Sequence, residues 1–230
     1  MKLTADWHTH TTFSHGSGSV TDNAEAALAR GLSSLAITDH SVGHALYGVK
    51  HRLVGQYLEC IAQAREAFAG RVEVKSGIEL NLAGLEGRFD MPAGAFDVVI
   101  MGYHKAAWCA DLRSAWTFFR GQRVDAITQA YVNAIRTGKL SIISHPGYGV
   151  PVNYRLLARA CADYGVLFEI NQKHAGLTAD ELREAALEPV KFVISSDAHR
   201  PEDVGAAPQA LELASRAGLD SRRVVNITEE

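Results

Sequence analysis

No apolar run in the sequence approaches the roughly 20 residues that span a bilayer, so a membrane-crossing helix is not expected. Met1-Lys2-Leu3-Thr4-Ala5-Asp6 leads straight into a strand-like run without the apolar core of a secretory leader, and a cytoplasmic location is the expectation. Cysteine is sparse. Cys60, Cys109 and Cys161 are odd in number and form no CxxC pair, which excludes a disulfide framework and a zinc knuckle and leaves small hydrophobes or idle thiols. Lys and Arg total 23 against 26 Asp and Glu, for a net charge of −3, and nowhere do five basic residues run together. Without a basic tract the chain lacks the usual footing for a phosphate polymer, which argues against nucleic acid as a partner. Internal repeats, low-complexity tracts and interdomain linkers are also missing, so residues 1–230 read as one domain, long enough to bury a full core.

What is present is an alternation. Compact runs rich in Val, Ile and Leu fall at 2–8, 34–38, 72–80, 97–101, 140–144, 166–170 and 191–195, with an eighth candidate at 224–227. Such runs suit strands covered on both faces. Between them lie Ala-rich stretches with helix signals. Asp22 is placed to cap residues 23–30, with Glu25 three residues on and Gly31 after the last turn. Thr178 and Glu181 repeat that spacing ahead of 182–187, Asn153 and Gly165 bracket 155–164, and Pro201 suits a first helical turn. The pattern predicts parallel strands with helical crossovers, in a barrel or an open sheet. Residues 41–56, 81–96 and 103–121 interrupt the alternation and read as long functional loops.

Ten histidines is a high count for this length, and their positions are more informative than their number. His8 and His10 close the first run two residues apart, which puts both rings on one side of an extended chain. His15 follows in a loop. Asp39-His40 ends the second run, Glu79 the third, His104 the fourth, His145 the fifth, and Asp197 and His199 the seventh. In parallel α/β folds the C-terminal strand ends share one face, where active sites are built. Structural histidines have no reason to prefer that face repeatedly, and imidazole with carboxylate is the ligand chemistry of divalent metals. His174 lies a little beyond the strand end at Asn171 and is a further candidate, whereas His44 and His51 read as loop residues.

In these motifs and their order, from Asp6 to His199, the chain resembles the PHP superfamily, named for its polymerase-associated and histidinol-phosphatase domains. The resemblance implies a distorted (β/α)7 barrel, similar to a TIM barrel, with a metal site at the C-terminal strand ends. It implies three divalent ions (Zn, Mn or Fe), the first on His8, His10, Glu79 and Asp197, the second on Glu79, His104 and His145, and the third on His15, His40 and His199. Glu79 would bridge the first two. It further implies a phosphatase acting on a small phosphomonoester through a metal-bridging hydroxide, with Glu79 and Asp197 central to catalysis. Asp39 would orient a ligand histidine from behind or cap its turn. Lys105, Arg200 and His174 are the expected contacts to the substrate. Trp108, Trp116, Phe118 and Phe119 either pack the long segment after the fourth strand onto the barrel, the favoured reading, or wall a pocket for an organic leaving group. Rival readings are a phosphodiesterase or exonuclease, a metal-binding domain without catalysis, and an amidohydrolase, whose usual ligand pattern matches less well than a Glu79 bridge.

Overall fold

The structure is a computed structural model that describes all residues except Pro92, Ala93, Ala95, Ala106, Ala175 and Glu230. Parts of the expected loops 81–96 and 103–121 therefore lie outside the described residues. Seven strands form one parallel sheet in chain order: β2 (Ala5–Asp6), β3 (Ser34–Ile37), β4 (Glu73–Asn81), β5 (Val98–Gly102), β6 (Ile142–Ile143), β7 (Leu167–Asn171) and β8 (Phe192–Ser195). The sheet curls until its two edges meet just beyond the strand ends. Thr9 bridges Ala198 in parallel, and the His10 amide donates to the Ala198 carbonyl at 2.8 Å. The result is a nearly closed barrel. The expected first strand is split, since Lys2–Leu3 (β1) leaves the barrel to pair antiparallel with Ile227–Thr228 (β9). The eighth candidate run is thus outside the barrel as well, but it clasps it: Val224 bridges Phe192, and the Asn226 side chain bonds to Ala5 of β2 and Ile194 of β8.

Among the described residues, seven α-helices surround the strands. The first, α1 (Val20–Ala29), begins earlier than its sequence signal indicated. Ser19 is the cap and shares a reciprocal capping box with Asp22. Both Ser19–Asp22 and Asp22–Glu25 have the right spacing, and the earlier start places Val20 in the core at 3% exposure. The helices α2 (Val54–Ala67), α3 (Leu112–Arg120), α4 (Val124–Ile135), α5 (Tyr154–Tyr164), α6 (Ala179–Ala186) and α7 (Pro208–Arg216) follow. Thr178 with Glu181 caps α6, and Asn153 and Gly165 bracket α5, as their spacing predicted. The long segments are only partly loops, because α2 and α3 arise within or beside them. Two helices cross between β5 and β6, whereas the described residues between β4 and β5 contain none.

Register explains where the site sits. Glu79 pairs with Ile100, Ile100 with Ile142, Ile142 with Leu167, and Glu169 with Val193. Paired residues of parallel strands face the same way, and side chains alternate along each strand. One small buried cluster (Ala36, Val98, Ile100, Ile142 and Val193, with Trp7 and Leu167 against it) fills the barrel interior. Above that apolar floor the same inward rows continue as Glu79 and Glu169. No helix among the described residues is long and apolar enough to cross a membrane.

Candidate metal centre

The strand ends bring the sequence-predicted ligands to one place. Glu79 is fully buried at its centre. Its Oε2 lies 2.9 Å from His40 Nδ1, 3.4 Å from His8 Nε2 and 3.5 Å from His10 Nε2. Its Oε1 lies 3.0 Å from His145 Nε2 and 3.6 Å from His104 Nε2. Asp197 Oδ1 lies 3.2 Å from His10 Nε2 and 3.4 Å from His199 Nδ1. The exposed ring of His15 sits 4.1 Å from that of His199 and 5.0 Å from that of His40. Three triads have donor atoms close enough to share an ion: His8–His10–Glu79, His40–Glu79–His104 and His10–His40–His199.

Local geometry shows how the chain makes room for this cluster. His145 and Asp197 are the two non-glycine residues with positive φ among the described residues, at 29° and 54°. Such backbone is unfavourable for a side-chain-bearing residue and concentrates at functional sites. Gly102 ends β5 beside the cluster. A Cβ there would collide with the His145 ring and the Ser144 hydroxyl, so the ring occupies the space that a side chain would need.

Whether these residues fit metal ions can be judged from their hydrogen bonds. Buried polar atoms are normally paired. Here Nε2 of His8, both ring nitrogens of His10, Nδ1 of His40, Nδ1 of His145 and Oε2 of Glu79 are buried without a hydrogen-bond partner. His40 Nδ1 and the Nε2 atoms of His8 and His10 crowd Glu79 Oε2 at 2.9, 3.4 and 3.5 Å without forming hydrogen bonds to it, as ligands around a cation do. The donor set is imidazole and carboxylate with no thiolate, which suits Zn, Mn or Fe. Electrostatics agrees. Burial pushes the Glu79 carboxyl up, but His8, His104 and His40 outweigh it and hold the pKa well below the ordinary value. Burial likewise opposes ionisation of Asp197, and His8 and His10 reverse it. Burial and the neighbouring histidines lower His10 and His104, and take His15 to about 3. At neutral pH these rings carry a free lone pair. For His8, burial is overcome by Asp197, Glu169 and Glu79, which raise its pKa well above normal, so metal loading must displace a proton there.

Several roles differ from the sequence expectation. Asp39 orients no histidine. Its oxygens accept hydrogen bonds from the Thr11 amide at 2.8 Å, the Thr11 hydroxyl at 2.7 Å, and the amide and hydroxyl of Ser14. It therefore fixes the loop that leads to His15, because its carboxylate meets that loop before it can reach a ring. Arg200 is paired with Asp203, three residues on, at 2.9 and 3.0 Å, and lines a neighbouring recess instead of the histidine cavity. Lys105 and His174 do line that cavity of about 550 Å³, and His174 Nε2 lies 3.4 Å from Asp197 Oδ2. His44, read as a loop residue, is buried in the cavity wall and stacks on Tyr47 at 3.9 Å. Phe118 packs inward, but Trp108, Trp116 and Phe119 are exposed, so the favoured packing reading holds for one of these four aromatics.

Three residues were missed. Lys173 Nζ lies 2.7 and 3.0 Å from the two ring nitrogens of His199 and adds a cation to the cavity. Asn81 Oδ1 lies 2.6 Å from His104 Nδ1. Glu169, fully buried, holds His8 Nδ1 at 2.7 Å through one oxygen and accepts from the His145 amide at 2.6 Å through the other. Asn81 ends β4, the signal that found the histidines, whereas Glu169 lies inside β7, two residues before its end. Partners of this kind orient ligands, and losing one typically weakens metal binding about 10- to 100-fold. Glu169→Gln, whose single amide oxygen cannot accept from both His8 Nδ1 and the His145 N–H, is expected to weaken metal affinity by about that factor. A competitive metal titration would show it, and unchanged affinity would reduce Glu169 to a structural role.

The PHP domain profile matches residues 6–195. A probable phosphatase of Thermoanaerobacter sp. strain X514 is 31% identical over 98% of this chain and 91% of its own length. A probable phosphatase of Vibrio vulnificus is 28% identical over 98% and 89%. Among solved structures, histidinol phosphate phosphatase from Lactococcus lactis, complexed with zinc, L-histidinol and phosphate, superimposes with a TM-score of 0.68. It is 15% identical, with 96% of this chain and 95% of that one covered, and the likeness is one of fold.

Proposed function

The chain belongs to the PHP domain family, and from that premise we propose that it is a phosphatase that hydrolyses a small phosphomonoester at a centre of three divalent ions. The observation that carries this reading is the convergence of buried, unpartnered imidazole and carboxylate atoms around Glu79. His8, His10, Glu79 and Asp197 would hold one ion, Glu79, His104 and His145 a second, and His15, His40 and His199 a third. When bound, such ions neutralise phosphoryl oxygens and bring the pKa of a coordinated water toward about 7.

The chain's own residues account for the rest. Among the described residues, Glu79, Asp197 and Glu169 are buried carboxylates whose oxygens face the histidine rings directly, and they return three negative charges against the six of three divalent ions. The site therefore keeps the positive excess that a phosphate dianion requires. Lys105 and Lys173 extend that excess along the cavity wall. His10, His15 and His104, whose basicity is lowered, do not compete for the proton that water loses in attacking phosphorus. The Glu169 and Asn81 contacts keep the His8 and His104 rings from turning, and Glu169 also fixes the backbone that carries His145.

A monoester brings two charges and three free oxygens, and a diester one charge and two. Losing one stabilising contact to a developing oxyanion costs about 100-fold or more. Catalytic efficiency of Mn- or Zn-loaded protein on a panel of small phosphomonoesters should therefore exceed that on a phosphodiester or on single-stranded DNA by about 100-fold. Processive degradation of oligonucleotides with negligible monoester turnover would make the protein a nuclease instead.

A further inference from the structure

Beside the metal cavity lies a second recess of about 640 Å³, walled by Tyr103, Lys105, Leu112, Trp116, Phe118 and Phe119. Tyr103 and Lys105 also line the metal cavity, so the two spaces share a wall. Helix α3 forms much of the recess and is firmly built. Asp111 caps its first turn through the Ser114 amide at 2.8 Å, and Gly121 ends it in the left-handed conformation. Ser114, Thr117 and Phe118 are buried and root the helix, with Phe118 packed on Tyr103 at 5.3 Å between ring centroids. The other face carries Leu112, Trp116 and Phe119, spaced i, i+4 and i+7 on one side. They are 89%, 61% and 84% exposed.

A contiguous exposed apolar stripe on a well-anchored helix marks a binding surface. Its position beside the reaction cavity, with a lysine on the shared wall, limits what it binds. We propose that this recess receives the alcohol portion of the substrate, and that this portion carries an uncharged aromatic ring. The inference rests on the phosphatase reading and narrows it to a substrate class. Phosphate engages the histidine cavity, Lys105 meets it on the shared wall, and the ring lies against Trp116 and Phe119 in the offset or edge-on contacts that aromatic groups favour. A sugar or other polyol fits poorly, because the wall offers its hydroxyls little beyond Lys105, the Tyr103 phenol and the Cys109 thiol.

The test compares 2-phenylethyl phosphate with ethyl phosphate, whose alcohols have similar acidity, so that leaving-group chemistry does not set the ratio. Burying an apolar side chain the size of a phenyl group is worth about 10- to 100-fold in affinity. The metal-loaded enzyme should prefer 2-phenylethyl phosphate in kcat/KM by about that factor. Trp116→Ala combined with Phe119→Ala should reduce the ratio to near one, and both positions are exposed enough for the fold to survive. A parallel binding arm uses the non-hydrolysable 3-phenylpropylphosphonate against propylphosphonate by calorimetry, with the same preference and the same loss expected. No preference, or a preference that the double variant retains, overturns the proposal even if ethyl phosphate is turned over well. If neither ester is hydrolysed the phosphatase reading fails, and the calorimetric ratio still decides whether the recess binds an aromatic ring. A chain that dimerises through the stripe, with dimerisation lost in the double variant and no change in either ratio, would assign the surface to a second copy and overturn the proposal.

Discussion

Replacing Glu79 by glutamine is expected to lower kcat about 1,000-fold or more while leaving the fold in place. Glutamine keeps the size and shape of the side chain, so the apolar floor beneath it is undisturbed. The amide lacks the charge and the second anionic oxygen needed to serve two cations. Glu79 is approached by five histidines through its two oxygens, so the loss reaches most of the centre at once. A single transition-state contact already accounts for about 100- to 1,000-fold, and here metal occupancy falls as well. Steady-state kinetics under saturating metal, with elemental analysis and circular dichroism on the same sample, would check this. Asp39→Asn is the comparison. It loosens the Thr11–Ser14 loop and touches no ligand ring, so its effect on kcat should be far smaller. Near-normal turnover of Glu79→Gln would remove the bridge from the mechanism.

The second large effect is expected on stability. The unpartnered nitrogens around Glu79 cost free energy unless cations satisfy them. Ions that bind the folded chain and not the unfolded one stabilise it by about 4 kcal/mol at 1,000 times their Kd. For a chain of this size that corresponds to a Tm rise of about 10 °C. Chelation should reverse the rise and abolish activity, and reloading should restore both with about three ions per chain. His15→Ala should lose one of them and keep the others, since the exposed His15 ring lies nearer His199 and His40, at 4.1 and 5.0 Å, than His10, at 5.8 Å. Elemental analysis finding no more than one ion after reloading, or loss of every ion from His15→Ala, would contradict the three-site arrangement.

The features legible in the sequence were those that repeat. Compact apolar runs gave seven strands, and the rule that parallel strands present their C-terminal ends together gathered histidines more than a hundred residues apart. Closure was not legible, because it depends on contacts between the two ends of the chain, the Thr9–Ala198 bridge and the Asn226 side chain between Ala5 and Ile194, and no local pattern separates a curled sheet from an open one. The start of α1 was misplaced because two capping boxes overlap and only burial of Val20 chooses between them. Glu169 and Asn81 were not legible, because nothing in sequence distinguishes a carboxylate or amide that holds a histidine still from any other on a strand. Asp39 was overread for the opposite reason, since being next to His40 in sequence does not place its carboxylate near the ring. Lys173 has no motif at all, and its place against His199 comes from the turn after β7.

The clearance at Gly102 has a consequence for how this centre could change over generations. The His145 ring fills the volume that any other residue at 102 would claim, so the two positions are not free to drift separately. A larger residue at 102 expels a ligand, and a smaller residue at 145 leaves a void beside a buried carboxylate. Either change alone passes through a damaged enzyme, and only a simultaneous exchange avoids it. Descendants of this chain should therefore keep or lose the pair together, and a lineage that has abandoned the glycine should also have abandoned the metal.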